Sequence, residues 1–407
     1  MTEEIRNRIE QIKNGQVPVG YKKIINTIVP FDFEESSFGD LFDFYGGLGI
    51  ARAYLSKDGV PYLHYGDMHK GNASSVSLEQ YMGMPKYDVQ LTYDETYLLK
   101  DGDVVFVDAS EDLEGTSKSV LIDNPNNEPF ISGLHTFAAK DKNGKLTKYF
   151  KQYITAPDYV KLQFMTLACG FKVYGLNRST IKKIVFAYPK KTTEQQKIAE
   201  ILMKRDEAVA LQEKLIENLE LQKKALMQRL LKPKARWEKI KLGMIGDLYQ
   251  SETISEKDLT STGYKVYGAN GMIGYYDKYN HAESQIAITC RGSTCGSVLF
   301  TEQYSWITGN AMVLNVNENY NKLFIYYLCL NSSFKSIISG SGLPQITRNN
   351  IANYKCAIPK DLKVQKKIAA ILQDSDLSIL YHKQKLTALK AQQKSLMQLL
   401  LTGIVRV

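Results

Sequence analysis

The sequence predicts an α/β (α+β) chain: two mixed α/β domains separated by a pair of long antiparallel coiled-coil helices, with an internal pseudo-twofold repeat. Three observations carry that expectation. Residues 181–231 align with 351–401 at a constant offset of 170, without a gap, and 19 of the 51 pairs are identical. A heptad pattern of apolar residues runs through both copies. Upstream of each copy lie short alternating runs bounded by turn residues, as β-strands require. Chance similarity between two helices would not hold register this long, so the chain is a duplicated unit.

At the N-terminus, Ile5, Ile9 and Ile12 stand at i, i+4 and i+7, which gives a helix over 3–13 one apolar stripe. This helix opens a first domain over 1–188. Its strands include Val104-Val105-Phe106-Val107, entered through the turn Lys100-Asp101-Gly102-Asp103, and a short helix is expected near 158–168. Residues 189–236 form the central helix. Leu202, Val209, Ile216 and Leu230 fall on one seam position, with Ile198, Leu219 and Leu226 on the other. The second domain, 237–358, carries the run Ile286-Ala287-Ile288-Thr289, the turn Asn270-Gly271 and a short helix near 321–331. The last segment, 359–407, repeats the long helix: Leu372, Ile379, Leu386 and Leu400, with Ile368, Leu389 and Leu396.

Polar interruptions coincide in the two helices at Arg205/Ser375, Gln212/His382 and Lys223/Gln393. A polar seam residue lowers stability but fixes register, so matched interruptions suggest that the helices pair with each other. One helix leaves each globule, and antiparallel pairing is then the simplest arrangement. At 1.5 Å per residue, about 40 residues make a rod of roughly 60 Å. A homodimeric coiled coil is the competing reading of the same pattern.

Upstream of the helices the halves resemble one another more loosely. Tyr21-Lys22-Lys23-Ile24 matches Trp237-Glu238-Lys239-Ile240, and Phe38-Gly39 with Asp43 and Tyr45 matches Leu242-Gly243 with Asp247 and Tyr249. Tyr65-Gly66 matches Tyr267-Gly268, Ser119-Val120-Leu121 matches Ser297-Val298-Leu299, and Ile131-Ser132-Gly133 matches Ile307-Thr308-Gly309. Arg178 matches Arg348. The offset drifts from 216 to 170 along these pairs, so the first globule is longer by loop insertions. Loops are where binding residues usually lie.

Composition narrows the class. Hydrophobic residues make up 44% and charged residues 23% of 407, an ordinary globular balance. No apolar run reaches the roughly 18 residues a membrane-spanning helix needs. The first fifteen residues are charged throughout, so no secretory leader is expected. Five cysteines, odd and sparse, suit free thiols in a reducing cytoplasm. The net charge of +9 is concentrated: +5 in 190–236 and +6 in 360–407, against −3 in 1–189 and +1 in 237–359. The whole basic excess therefore sits in the two long helices. A polyanionic partner would explain it, and so would lysines that only solvate the helices.

Taken with TyrGlyAlaAsnGlyMetIleGlyTyrTyr at 267–276, ProGlnIleThrArg at 344–348 and LeuMetGlnLeuLeuLeuThrGly at 396–403, this arrangement resembles the specificity subunit of type I restriction-modification systems. The resemblance covers essentially the whole chain. The second globule and both helices match closely; the first globule matches at scattered positions, including Phe130-Ile131-Ser132-Gly133-Leu134-His135. It implies two target-recognition domains, each reading half of a bipartite site on double-stranded DNA. The helices are then spacer and docking surface for two modification (methyltransferase) subunits and, through them, restriction/translocase subunits. S-adenosylmethionine, ATP and Mg are expected only on those partners, with no cofactor or metal in this chain.

The catalytic inventory agrees with that division. Gly46-Gly47-Leu48-Gly49 lacks a βαβ setting, no phosphate loop of the GxxxxGK[ST] type occurs, and Asp123-Asn124-Pro125-Asn126 reads as a turn. Cys290, Cys295, His281 and His135 do not make zinc-ligand spacing. The acidic run Asp101, Asp103, Asp108, Glu111, Asp112 and Glu114 would suit a metal nuclease, but the equivalent stretch from Ser284 to Thr294 is almost free of acids. Candidate DNA contacts are Tyr65, Lys70, Ser110, Lys118 and Arg178 in the first globule, and Tyr267, Asn270, Arg291, Ser293, Thr294, Gln345 and Arg348 in the second. Arg pairs bidentately with guanine and Asn or Gln with adenine, whereas Ser, Thr, Tyr and Lys more often take phosphate oxygens. Arg178 and Arg348 are kept by both copies, which suits a shared duty: a phosphate contact or a fold-holding ion pair. The expectation is a non-catalytic DNA-recognition and assembly subunit; the alternatives are an architectural coiled-coil adaptor without DNA recognition and, third, a nuclease using the acidic loop.

Overall fold

A computed structural model of the chain describes residues 2–70, 75–77, 84–88, 93–332, 334–340, 342 and 344–407. It divides into two compact units, 1–211 with 387–407, and 212–386. The helices Thr192–Leu230 and Leu362–Leu401 each give one part to each unit.

The first unit is built on a five-stranded sheet whose order is 42–46, 136–141, 104–107, 119–123 and 75–77. One face is aromatic: Phe38, Phe42, Phe44, Phe106, Phe164 and Phe186 fill it together with Ile198 and Leu202 of the central helix. The other face, with Val105, Val107, Val120 and Ile122, packs on Leu63 and Phe130. Alternate residues of one strand thus go to opposite layers, the period-two rule for a sheet covered on both sides. A three-stranded sheet, 131–132, 60–63 and 86–87, lies in the same unit.

The second unit repeats the plan with fewer residues. Its four-stranded sheet runs 246–250, 311–316, 286–289 and 298–300, and its three-stranded sheet 271–276, 264–268 and 306–307. Where the first unit has a long excursion after residue 63, the second makes a tight hairpin at Asn270, turned by Gly271 at φ +86°. A left-handed backbone there favours glycine.

Strand pairing corrects two of the upstream matches. Trp237–Lys241 pairs antiparallel with Lys355–Pro359, and Phe33–Ser37 pairs in the same register with Val185–Pro189. The counterpart of Trp237 is therefore Phe33, not Tyr21, whose strand Tyr21–Ile24 belongs to an added hairpin with Thr27–Pro30. Likewise Ile307 lies opposite Tyr267, and Ile131 opposite Tyr62. Tyr65 opens a short helix, Tyr65–Lys70, and is not the counterpart of Tyr267.

The long helices run antiparallel. Within the second unit Gln212 meets His382, its own repeat partner, with Nε2 donating to Nδ1 at 2.9 Å, while Lys223 pairs with Asp376. As one number rises the other falls. The polar seam positions differ in part from the expected set: Arg205 is exposed, and Asp206 and Asp376 take the inward place. No helix among the described residues is long and apolar enough to cross a membrane.

Candidate nucleic-acid interface

In the second unit a small backbone frame brings distant residues together. The Cys290 amide donates to the Asn310 carbonyl at 3.1 Å, and the Ile346 amide to the Cys290 carbonyl at 3.0 Å. Gln345 and Ser339 exchange both of their backbone hydrogen bonds at 2.9 Å, and Arg291 bridges Gln345 antiparallel. Cys290 and Ile346 point inward and are buried; Arg291 and Gln345 point outward and are exposed. Burial pushes the Cys290 thiol above its usual range, so it stays neutral, donating to the Asn310 carbonyl at 3.1 Å and accepting from Gln250 at 3.2 Å.

The first unit contains the same frame with other side chains. The Asp108 amide donates to the His135 carbonyl at 3.2 Å, and the Leu176 amide to the Asp108 carbonyl at 2.8 Å. Cys169 and Gly175 exchange two backbone bonds, at 3.0 and 2.8 Å, and Ala109 pairs with Gly175. Ala109 and Gly175 thus occupy the places of Arg291 and Gln345. Asp108, raised by burial, lies 2.9 Å from Nδ1 of half-exposed His135, whose backbone is left-handed at φ +59°. Neither member of that pair is among the DNA contacts expected from sequence; they lie 27 positions apart and meet only through the sheet.

Tyr65 is half-buried among His64, His69 and His135, with ring centroids 4.6, 6.0 and 5.2 Å away. Lys70 closes its helix. Ser110 is buried and its hydroxyl accepts the Asp112 amide, so it is withdrawn from the surface. Lys118 is half-buried and donates to the His69 carbonyl at 3.2 Å; burial lowers its pKa. Tyr267 is buried as well, its hydroxyl accepting the Glu302 amide. Asn270 and Ser293 are exposed, while Thr294 donates to the Ala269 carbonyl at 2.8 Å and to Asn270 at 3.2 Å. Arg178 and Arg348 are both exposed first residues of short helices capped by Asn177 and Thr347, and neither forms an ion pair among the described residues.

The acidic run does not converge. Asp101 pairs with Lys148 at 2.7 Å, Asp103 is buried against the Lys100 amide, and Asp108 faces His135. Among the described residues no group of three or more His, Cys, Asp or Glu side chains is placed to hold a metal ion.

Where the helices join the globules, the two copies agree closely. Gln195 and Gln365 are fully buried; Gln195 accepts the Thr147 amide and donates to Pro189, while Gln365 accepts the Asn321 amide and donates to Pro359. The hydroxyls of buried Tyr153 and Tyr327 donate to Asp206 and Asp376, each at 2.7 Å. Burial first, and then the adjacent carboxylate, raises both phenols far above their usual range, so they stay donors. The seam residues Ile198, Leu202, Ile216, Ile368, Leu372, Ile379 and Leu400 are buried, and Val209, Leu219, Leu226, Leu230, Leu386, Leu389 and Leu396 are half-buried.

Fold and site together define a duplicated two-domain protein on an antiparallel helix pair, constant at its joints and variable at its exposed frame. The family model of the type I restriction modification DNA specificity domain matches residues 30–221 and 234–391, and the chain belongs to that family. The specificity subunit of the type I restriction enzyme EcoprrI from Escherichia coli is 25% identical over 131 residues, 32% of this chain. The match spans about a third of that curated relative, 32% of its length. The crystal structure of a type I restriction-modification system S subunit from M. genitalium is similar with a TM-score of 0.60 and 17% identity, covering 93% of this chain and 98% of that one. A structure described as showing complex assembly and conformational transition of the type I R-M system gives a TM-score of 0.57 at 12% identity, with 93% and 99% covered.

Proposed function

We propose that the chain is the non-catalytic DNA-specificity subunit of a type I restriction-modification complex, each globule reading one half of a bipartite, non-palindromic site. One observation carries this reading: the copies keep their buried helix joints and differ in the residues carried by the same backbone frame, exposed Arg291 and Gln345 in the second against half-buried Ala109 and Gly175 in the first. A duplicated scaffold with a common assembly role and two separate recognition roles calls for that pattern. The helix pair sets the spacing between half-sites and docks two modification subunits, which bring S-adenosylmethionine, ATP and Mg with their own partners. Exposed Leu215, Leu221, Leu377, Leu380 and Tyr381 on the long helices suit a protein partner better than water. The site of action is the cytoplasm.

The test is selection from random duplexes by the chain assembled with its modification subunits. The expected product is a gapped, non-palindromic consensus. Exchanging residues 237–358 for those of a relative should then change one half of it and leave the other. Firm assembly with partner subunits but no enriched sequence would instead favour the architectural adaptor.

A further inference from the structure

We propose that Arg291 and Gln345 are the base-reading pair of the second globule, with Arg291 taking a guanine and Gln345 an adenine on neighbouring base pairs in the major groove. The assignment rests on the DNA-recognition role proposed above and names the bases that role would read.

Position is the first support. Arg291 and Gln345 are 54 residues apart in sequence, yet the antiparallel bridge sets them side by side. Residues opposite one another across such a bridge have Cα atoms about 4.5–5.5 Å apart, and stacked base pairs are about 3.4 Å apart. Two long side chains from one bridge therefore span two adjacent base pairs. The major groove is wide enough for a two-stranded ribbon.

Availability is the second. Both residues are exposed, and among the described residues no hydrogen bond or ion pair engages the Arg291 guanidinium or the Gln345 amide. Their inward neighbours, Cys290 and Ile346, are buried at 2% and 4% exposure and hold the frame rigid from beneath. A guanidinium offers the fork that matches guanine O6 and N7, and a carboxamide the donor and acceptor that match adenine N7 and N6.

The third support is the comparison between copies. The first globule makes the same four backbone hydrogen bonds with Ala109 and Gly175 at these two places. The fold therefore needs neither the guanidinium nor the amide, and their presence in one copy alone fits reading a particular half-site. Arg178 and Arg348 show the opposite behaviour. They are kept at one position in both copies, exposed and without an ion pair among the described residues, as a sequence-independent phosphate contact would be.

The experiment selects random duplexes with the full chain in complex with its modification subunits, comparing the unaltered protein with Arg291→Ala, Gln345→Ala and Arg348→Ala. The unaltered protein should give a second half-site containing a guanine next to an adenine. Arg291→Ala should lose preference at the guanine by about 10- to 100-fold, and Gln345→Ala at the adenine by a similar factor, with the first half-site unchanged. Arg348→Ala should weaken all sequences alike and lower the salt slope by about 0.9. Folding is not at risk, because the first globule carries alanine and glycine at the equivalent places. A consensus left unmoved by both reader variants, or weakening that is uniform over all sequences, overturns the assignment alone. An unaltered protein that enriches no consensus overturns the recognition role, and the assignment with it.

Discussion

Gln195 and Gln365 test whether hydrogen bonding, rather than mere filling of space, seats each long helix on its globule. Both are fully buried near the start of their helices. Gln195 makes three bonds: it donates to the Lys145 and Pro189 carbonyls, both at 2.9 Å, and accepts the Thr147 amide at 2.8 Å. Gln365 makes two, to the Pro359 carbonyl at 2.8 Å and from the Asn321 amide at 2.9 Å. Methionine is close to glutamine in length and helix preference but forms none of these bonds. At about 1 kcal/mol for each bond lost, Gln195→Met should cost about 3 kcal/mol and Gln365→Met about 2 kcal/mol. Both tryptophans, Trp237 and Trp306, lie in the second unit, so their emission in a urea titration reports Gln365→Met directly. For Gln195→Met the readout is circular dichroism, with hydrogen exchange at the Thr147 amide as the local probe. Costs below about 1 kcal/mol at both positions, or an unchanged exchange rate at Thr147, would refute the reasoning and leave the glutamines as space-fillers.

Two further outcomes follow from buried charge in the first unit. The Asp103 carboxyl, 7% exposed, is pushed up to about 6 by burial, which the Lys100 amide and the nearby Lys140 and Lys151 only partly offset. The folded state therefore holds this proton after an unfolded aspartate has released it near 3.8, and stability falls as pH rises through that window, by about 3 kcal/mol in all. Asp103→Asn keeps an acceptor for the Lys100 amide and should flatten the decline between pH 4 and 7 in urea midpoints; an equally steep decline would place the titration elsewhere. At the other end of the chain, the Arg406 guanidinium grips Asp32 at 2.8 and 2.9 Å and Glu194 at 2.5 and 2.8 Å, and the Glu194 side chain is only 7% exposed. Arg406→Ala strands that carboxylate and should cost about 3 kcal/mol, or roughly 6–12 °C in melting temperature. Adding Glu194→Gln should recover part of the loss, and an additive further loss would count against a stranded charge.

The repeat and the helices were legible because helical register tolerates no gap. Buried Gln195 and half-buried Asp206 have geometric demands that fix Gln365 and Asp376 at the same offset of 170. Strand equivalence was harder to read. A match of four residues such as Tyr21–Ile24 against Trp237–Ile240 carries little information, and the true partner of Trp237 is set by which strand faces the segment before the long helix. The seam was misplaced by one residue at Arg205 because a long cation and a short carboxylate are adjacent there, and a heptad count alone does not say which turns inward. The backbone frame of the second unit was half legible. Arg291 and Gln345 stood out as residue types; Gly175 stands at the repeat offset of 170 from Gln345, but Ala109 stands 182 positions before Arg291, so that half of the equivalence comes only from the strand pairing. Ser110 and Tyr267 look like surface hydroxyls in sequence and are buried by the strands that carry them.

The helix seam separates two properties that a heptad pattern joins: register and choice of partner. Asp206 accepts from Gln393 and Tyr153, and Asp376 from Lys223 and Tyr327. Positions 206 and 376 are repeat partners, as are 223 and 393, so one geometry is used twice with an ion pair at one end and an amide at the other. Sliding either helix by a turn would leave both carboxylates without these donors, a cost of several kcal/mol in a partly dry seam. Register is thereby fixed. Partner choice is not, because two copies of the central helix paired antiparallel would still set Asp206 against Lys223. What favours pairing within one chain is the tether: each helix is joined to the other through a globule, so its partner is present at an effective concentration that does not fall on dilution. The chemistry of the seam decides where the helices meet, and the connectivity of the duplicated chain decides that they meet each other.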